Sequence, residues 1–174
     1  MKGTTVIGIL KDGKGCIGAD GQVTMGEMVL KHKAQKIFKL YKGQVLAGFA
    51  GAVADAFALF ENLERKIEDA KGDLVKACVN FAKEWRTDKF LRRLEAIMIV
   101  LNKEKILIVS GNGEVVEPEE NVAAIGSGGA YAYASALALL KHTNLSPREI
   151  VIESLKIAAR LCIYTNEEFQ ILEI

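Results

Sequence analysis

The 174-residue sequence predicts an α+β fold, a four-layer α/β/β/α sandwich of two stacked antiparallel sheets flanked by helix pairs. Three observations carry that prediction. Short apolar runs punctuated by turn residues open the chain, recur after residue 95 and close it. Two pairs of helical patterns are inserted between them, at 52–85 and 131–163. Successive antiparallel strands cannot cover both faces of their own sheets, whereas helix pairs inserted twice can cover two stacked sheets from outside.

Each element follows from its local pattern. Residues 4–10 and 15–20 are apolar runs split by Lys11-Asp12-Gly13-Lys14, and Asp-Gly between such runs marks a two-residue hairpin. The second run ends in Gly18-Ala19-Asp20-Gly21-Gln22, which delivers a carboxylate beside the start of the first strand. An Asp next to Gly also has the plainer role of a turn residue bonding its own backbone. The segment Lys31 to Lys39 carries four lysines and His32 and reads as a basic strand or loop, with one lysine turned inward as the alternative. As a strand it would put Lys36 and Phe38 on one face and Ile37 on the other. Residues 44–51 form an apolar strand ending in small residues.

Ala52 to Ala70 is amphipathic at helical spacing, through Val53, Ala56, Phe57, Phe60, Leu63 and Ile67. Gly72 ends that helix and Asp73 caps the next, whose inner face carries Leu74, Ala77, Cys78, Phe81 and Trp85. A hairpin of Ala96 to Leu101 and Ile106 to Ser110 follows, then a turn at Asn112-Gly113 and a strand at 122–125. Ser127 is placed to start the helix Tyr131 to Leu140. Ser146-Pro147-Arg148-Glu149 has a capping box and proline at the first helical position, and its helix runs to about Ile163. Phe169 to Ile174 is the closing strand.

Composition removes several function classes. Lys+Arg number 23 and Asp+Glu 22, so no electrostatic case exists for a general nucleic-acid binder. Hydrophobic residues make up 50% and only two prolines occur, which is the composition of one packed domain. Cys16, Cys78 and Cys162 are widely spaced and lie near neither His32 nor His142, so no zinc pattern arises. Three reduced, buried thiols fit a cytoplasmic protein. Met1-Lys2-Gly3 opens no signal-type apolar segment, and no uncharged run reaches membrane-spanning length. Gly126-Ser127-Gly128-Gly129 is a poor dinucleotide fingerprint, since the third glycine position falls on Tyr131, and no phosphate-binding GxxxxGK[ST] occurs.

Thr4-Thr5 at the head of the first strand reads two ways. Both residues are ordinary strand formers. If the chain is cut before Thr4, however, one residue carries a hydroxyl nucleophile and a free amine of pKa about 8 that can serve as its base.

Taken together, Thr4-Thr5-Val6, the Gly18 to Thr24 segment, Lys36, Ala47-Gly48-Phe49-Ala50-Gly51, Ala54-Asp55-Ala56, Trp85-Arg86-Thr87-Asp88, Ile125 to Gly129 and Cys162-Ile163-Tyr164-Thr165-Asn166 resemble the bacterial proteasome-like peptidases among the N-terminal-nucleophile hydrolases. The resemblance runs from Thr4 onward. It implies a leader at 1–3 removed on maturation and a single catalytic domain at 4–174. It implies a cytoplasmic threonine protease built as a homo-oligomer of two stacked hexameric rings, a dodecamer acting on unfolded proteins. The implied partner is an AAA+ unfoldase, HslU (ClpY), which uses the ATP. By the same resemblance Thr4 is nucleophile and amine base, Lys36 the neighbouring cation, Asp20 its carboxylate, Gly48 an oxyanion N–H donor, and Ser127 part of the amine's proton network. A sodium ion is implied at the backbone carbonyls of Ala159, Cys162 and Thr165, with Ala159 standing where relatives usually have glycine. The competing expectation is a non-catalytic ring subunit that keeps its leader.

Overall fold

The computed structural model describes residues 3–52 and 56–174. Strands β1 (Thr5–Lys11) and β2 (Lys14–Ala19) form the expected hairpin, pairing Lys11 with Lys14 across a turn in which Asp12 and Gly13 both take positive φ. A small separate hairpin follows, β3 (Val23–Met25) with β4 (Met28–Lys31). Next come β5 (Ile37–Leu40) and β6 (Val45–Gly51), helices α1 (Ala56–Asp69) and α2 (Leu74–Thr87), strands β7 (Ala96–Leu101), β8 (Ile106–Ser110), β9 (Val115–Val116) and β10 (Val122–Gly126), helices α3 (Gly129–His142) and α4 (Pro147–Leu161), and β11 (Gln170–Glu173).

Two antiparallel sheets result, of order β10-β1-β2-β11 and β5-β6-β7-β8-β9. Three apolar layers hold four structural layers together. Between the sheets lie Val6, Ile17, Ile37, Leu46 and Ile99, all at most 1% exposed. Outside the five-stranded sheet, α1 and α2 pack Leu63, Ile67, Phe81 and Trp85 on Phe49 and Val100. Outside the four-stranded sheet, α3 and α4 pack Ala132, Ala136, Val151 and Leu155 on Ile7 and Ile9. This is the predicted sandwich.

The caps are as the sequence demands. Asp73 accepts from Lys76 N at 3.1 Å, and Ser146 and Glu149 complete a capping box. Three details depart from expectation. Helix α3 begins two residues early, at Gly129, with Gly128 as its cap, so Ser127 does not cap it. Phe57 is exposed and meets Phe38 edge-on at 5.9 Å instead of entering the core. Strand β5 starts at Ile37, one residue past Lys36, so strand alternation does not govern that lysine and its side chain parts from Phe38, which packs on Phe60. The expected inward position of Val53 lies outside the described residues.

Candidate active site

Antiparallel pairing brings five chain segments to one end of the sandwich. The start of β1 lies between the end of β2 and the end of β10, with Val6 opposite Ala19 and Thr5 opposite Gly126. The start of β5 and the end of β6 bring Lys36 and Gly51 to the same end in the facing sheet. The approach is close: Gly126 has φ +93°, and a β-carbon there would overlap the Thr4 carbonyl, so only glycine fits.

Thr4 is 9% exposed. Its hydroxyl donates to the Gly3 carbonyl at 2.5 Å, and the same carbonyl accepts from Lys36 Nζ at 2.9 Å. Lys36 is buried, and its ammonium also donates to Asp20 Oδ1 at 2.8 Å and to the Gln22 carbonyl at 2.7 Å. Three oxygens, one of them charged, thus hold a buried cation against the Thr4 peptide. Burial lowers the Lys36 pKa from its ordinary 10.5, and the Asp20 carboxylate pulls the other way.

Asp20 is fully buried with every contact made to a donor. Oδ1 accepts from Thr5 N at 2.9 Å as well as Lys36, and Oδ2 accepts from Gln22 N and Asn166 N, both at 3.2 Å. Such a carboxylate is an anion held rigidly to orient its lysine. On the other side of Thr4, Ser127 Oγ receives the Thr4 N–H at 3.4 Å and donates to the Thr4 carbonyl at 3.2 Å. Freed from the helix cap, Ser127 faces the nitrogen that leader removal would turn into an amine. Thr5 Oγ1 and Thr165 Oγ1 share a hydrogen bond of 2.7 Å beneath.

Beside these groups opens a cavity of about 560 Å³, lined by Thr4, Gly51 and Ser127 together with Val23, Leu161 and Ile163, among others. None of its described lining residues carries a charge.

Thr4, Asp20, Lys36 and Ser127 are therefore brought together, and Gly48 is not. Gly48 sits mid-strand between Ile37 and Ile99, with space for a β-carbon taken by Val6 Cγ1 at 2.7 Å. Phe49 N donates to Lys36 O, so by antiparallel alternation residues 45, 47 and 49 turn their amides toward β5 and Gly48 turns its amide into the ladder with β7. The next amide on the β5 side is that of Gly51, beyond the end of β5 and on the cavity wall. Counting by twos to the end of the apolar run was the sequence signal for it. Sequence reading also passed over Asn166, whose Oδ1 accepts from Gly21 N at 3.1 Å while Nδ2 donates to His32 O at 2.8 Å, tying the segments that carry Asp20 and Lys36.

The carbonyls of Ala159, Cys162 and Thr165 lie at and just past the end of α4. Ala159 belongs to the last turn, whose carbonyls have no helical N–H to accept from, and Cys162 O accepts one bond, from Thr165 N at 3.1 Å, leaving a lone pair. A set of neutral oxygens at the negative end of a helix suits a hard monovalent cation, and alanine at 159 is accommodated within the helix.

Comparison with known proteins agrees with this geometry. The model of the proteasome subunit family matches residues 1–174. Proteins named ATP-dependent protease subunit HslV are 58% identical in Aquifex aeolicus over all of this chain and 99% of theirs, and 56% identical in Treponema denticola over 95% and 93%. The chain belongs to the HslV family of proteasome-like protease subunits. Among solved structures, a eukaryotic HslV from Trypanosoma brucei superposes with a TM-score of 0.92 at 38% identity, covering 97% of this chain and 98% of that one. A Thiobacillus denitrificans protein, BPH, solved in complex with epoxomicin, has a TM-score of 0.74 at 19% identity over 98% and 97% of the two chains, which shows the shared fold. The four-layer sandwich is thus an architecture that this chain shares with HslV and with a more distant protein.

Proposed function

We propose that this HslV-family chain is the peptidase subunit of an ATP-dependent protease, cutting peptide bonds with Thr4 once Met1–Gly3 are removed. The observation that carries the reading is the convergence on one carbonyl: the Thr4 hydroxyl and the Lys36 ammonium both reach Gly3 O, with Asp20 fixing the lysine. Family membership makes it a threonine-type peptidase working with an ATP-dependent partner.

Maturation uses the geometry directly. The Thr4 hydroxyl adds to the Gly3 carbonyl carbon while Lys36 donates to its oxygen. The C–N bond then breaks, the acyl group passes from nitrogen to oxygen, and the Thr4 nitrogen takes up the proton. Water hydrolyses the ester and leaves a free amine beside Ser127. In turnover that amine accepts the hydroxyl proton as oxygen attacks the substrate carbonyl, then gives it to the departing nitrogen. The neighbouring Lys36 charge favours the neutral, proton-accepting amine. The Gly51 N–H is the donor for the developing oxyanion. Water releases the acyl-enzyme.

The sodium ion that the resemblance implies, held by the carbonyls of Ala159, Cys162 and Thr165, would supply fixed positive charge at the end of α4. There those residues would hold the 162–166 segment, which gives Asn166 N to Asp20 and Thr165 Oγ1 to Thr5. The assembly proposed is the double hexameric ring, docked to HslU in the cytoplasm and fed unfolded proteins. Among the described residues no helix is long and apolar enough to cross a membrane.

Casein hydrolysis by the purified chain, with and without the cognate ATPase and ATP, tests the function. Intact mass separates it from a non-catalytic ring subunit, because an active chain begins at Thr4. Undiminished turnover by Thr4→Ala would overturn the assignment.

A further inference from the structure

Gln22 has its N–H, its carbonyl and its side-chain NH2 all hydrogen-bonded. Its main chain serves the chemistry: the carbonyl takes the shortest of the three Lys36 hydrogen bonds, at 2.7 Å, and the N–H donates to Asp20 Oδ2. Its side chain serves the cavity. Nε2 donates to Thr24 Oγ1 at 2.9 Å and to the Ile163 carbonyl at 3.1 Å. A carbonyl can only accept, which fixes the amide's orientation. Thr24 adjoins Val23, and Val23 and Ile163 both line the cavity.

Gln22 is 6% exposed, and a side chain unable to donate would leave the Ile163 carbonyl without this partner. The segment that carries Ile163 is open to solvent, with Leu161 56% and Ile163 81% exposed. The Gln22 side chain is the strut that keeps such a segment at a set distance from the turn holding Lys36. Residue 22 therefore links where the substrate sits to where the cation sits.

We propose that Gln22 is a positioning residue of the peptidase reaction: its side-chain amide ties together two segments that line the substrate cavity, at Val23-Thr24 and at Ile163, and transmits their position, through its own carbonyl, to Lys36. This rests on the peptidase reading above and adds to it a residue that touches neither substrate nor Thr4. A merely structural glutamine would change how many subunits fold, leaving each processed site normal.

The test compares wild type, Gln22→Met and Gln22→Glu in the assembled protein with its ATPase and ATP, using a fluorogenic peptidyl aminocoumarin with leucine before the scissile bond. Methionine keeps length and burial without a donor, whereas glutamate keeps shape and the Thr24 contact and cannot donate to Ile163. Rates are divided by the fraction of chains that begin at Thr4, read by intact mass. Both variants are expected to lose roughly tenfold to a hundredfold in kcat per processed site, the effect of displacing a reacting group by up to an ångström, with KM raised as well. Should Gln22→Met fail to assemble, Gln22→Glu carries the same expectation. Wild-type kcat and KM per processed site in an assembled variant would overturn the proposal alone. A wild-type protein that turns over no peptide while beginning at Thr4 would overturn it together with the peptidase reading.

Discussion

Replacing Lys36 by methionine removes one charge from a buried pair and leaves a side chain of similar length. Asp20, fully buried, then faces three backbone N–H groups and no cation. Removing one partner of a buried pair costs about 3–5 kcal/mol, because the remaining charge stays desolvated. Hydrogen bonds to a charged group contribute roughly 1.5–3 kcal/mol each, so the three that Asp20 retains place the loss at the lower end, about 3 kcal/mol. For a chain of this length that corresponds to a fall in Tm of roughly 6–12 °C, read at fixed protomer concentration since assembly adds to apparent stability. The chemical effect is separate. Lys36 donates to the carbonyl that the Thr4 hydroxyl attacks, and losing such a donor costs about 10²–10³-fold. Leader removal, followed by N-terminal mass over time, should slow by that factor. The double variant with Asp20→Asn discriminates further: without the stranded carboxylate it should be more stable than Lys36→Met alone, yet no more active. A Lys36→Met protein with wild-type Tm and a fully processed N-terminus would refute both parts.

Thr4→Ser should retain measurable peptide hydrolysis and Thr4→Ala none, assayed on the same fluorogenic substrate with chains of verified N-terminus. A peptide epoxyketone bound at Thr4 should place its former carbonyl oxygen within hydrogen-bond reach of Gly51 N; a crystal structure with the oxygen on Gly48 N would contradict the strand alternation. Because the folded pKa of Lys36 is depressed, the native state binds fewer protons here than the unfolded chain between that pKa and 10.5, so this residue's contribution to stability rises with pH across that window. The difference in unfolding free energy between wild type and Lys36→Met should therefore grow toward pH 10.5, and kcat/KM should fall on an alkaline limb below 10.5. Burial pushes the Cys16 and Cys78 thiols up to about 12, so both should resist iodoacetamide at neutral pH in the native protein and react on unfolding, as peptide mapping would show.

The elements were legible in the residues because their signals are local. Asp12-Gly13 dictates a hairpin turn, Ser146 to Glu149 a capped helix start, and the apolar spacing from Phe60 to Trp85 a pair of helices with one buried face. Order alone then favoured four layers, since two interposed helix pairs have two outer sheet faces to cover. Chemistry was legible where type and position coincide, as in a threonine near the start of a strand and an Asp at the end of its hairpin partner. What local pattern leaves open is where the backbone points once strands pair. Gly48 and Gly51 are equally small and belong to one apolar run, but the Phe49–Lys36 hydrogen bond sends the Gly48 amide into the sheet and leaves that of Gly51 on the other side of the strand, at the residue that lines the cavity. Ser127 has the residue type of a helix cap, and the close passage of Gly126 against Thr4 turns it to the reacting nitrogen instead. Lys36 became the inward lysine of a basic segment because β5 begins just after it, within reach of three oxygens from two other segments. Those contacts join residues 3, 20, 22 and 36 with 127 and 166, and separations of that length are set only by the tertiary register of two stacked sheets.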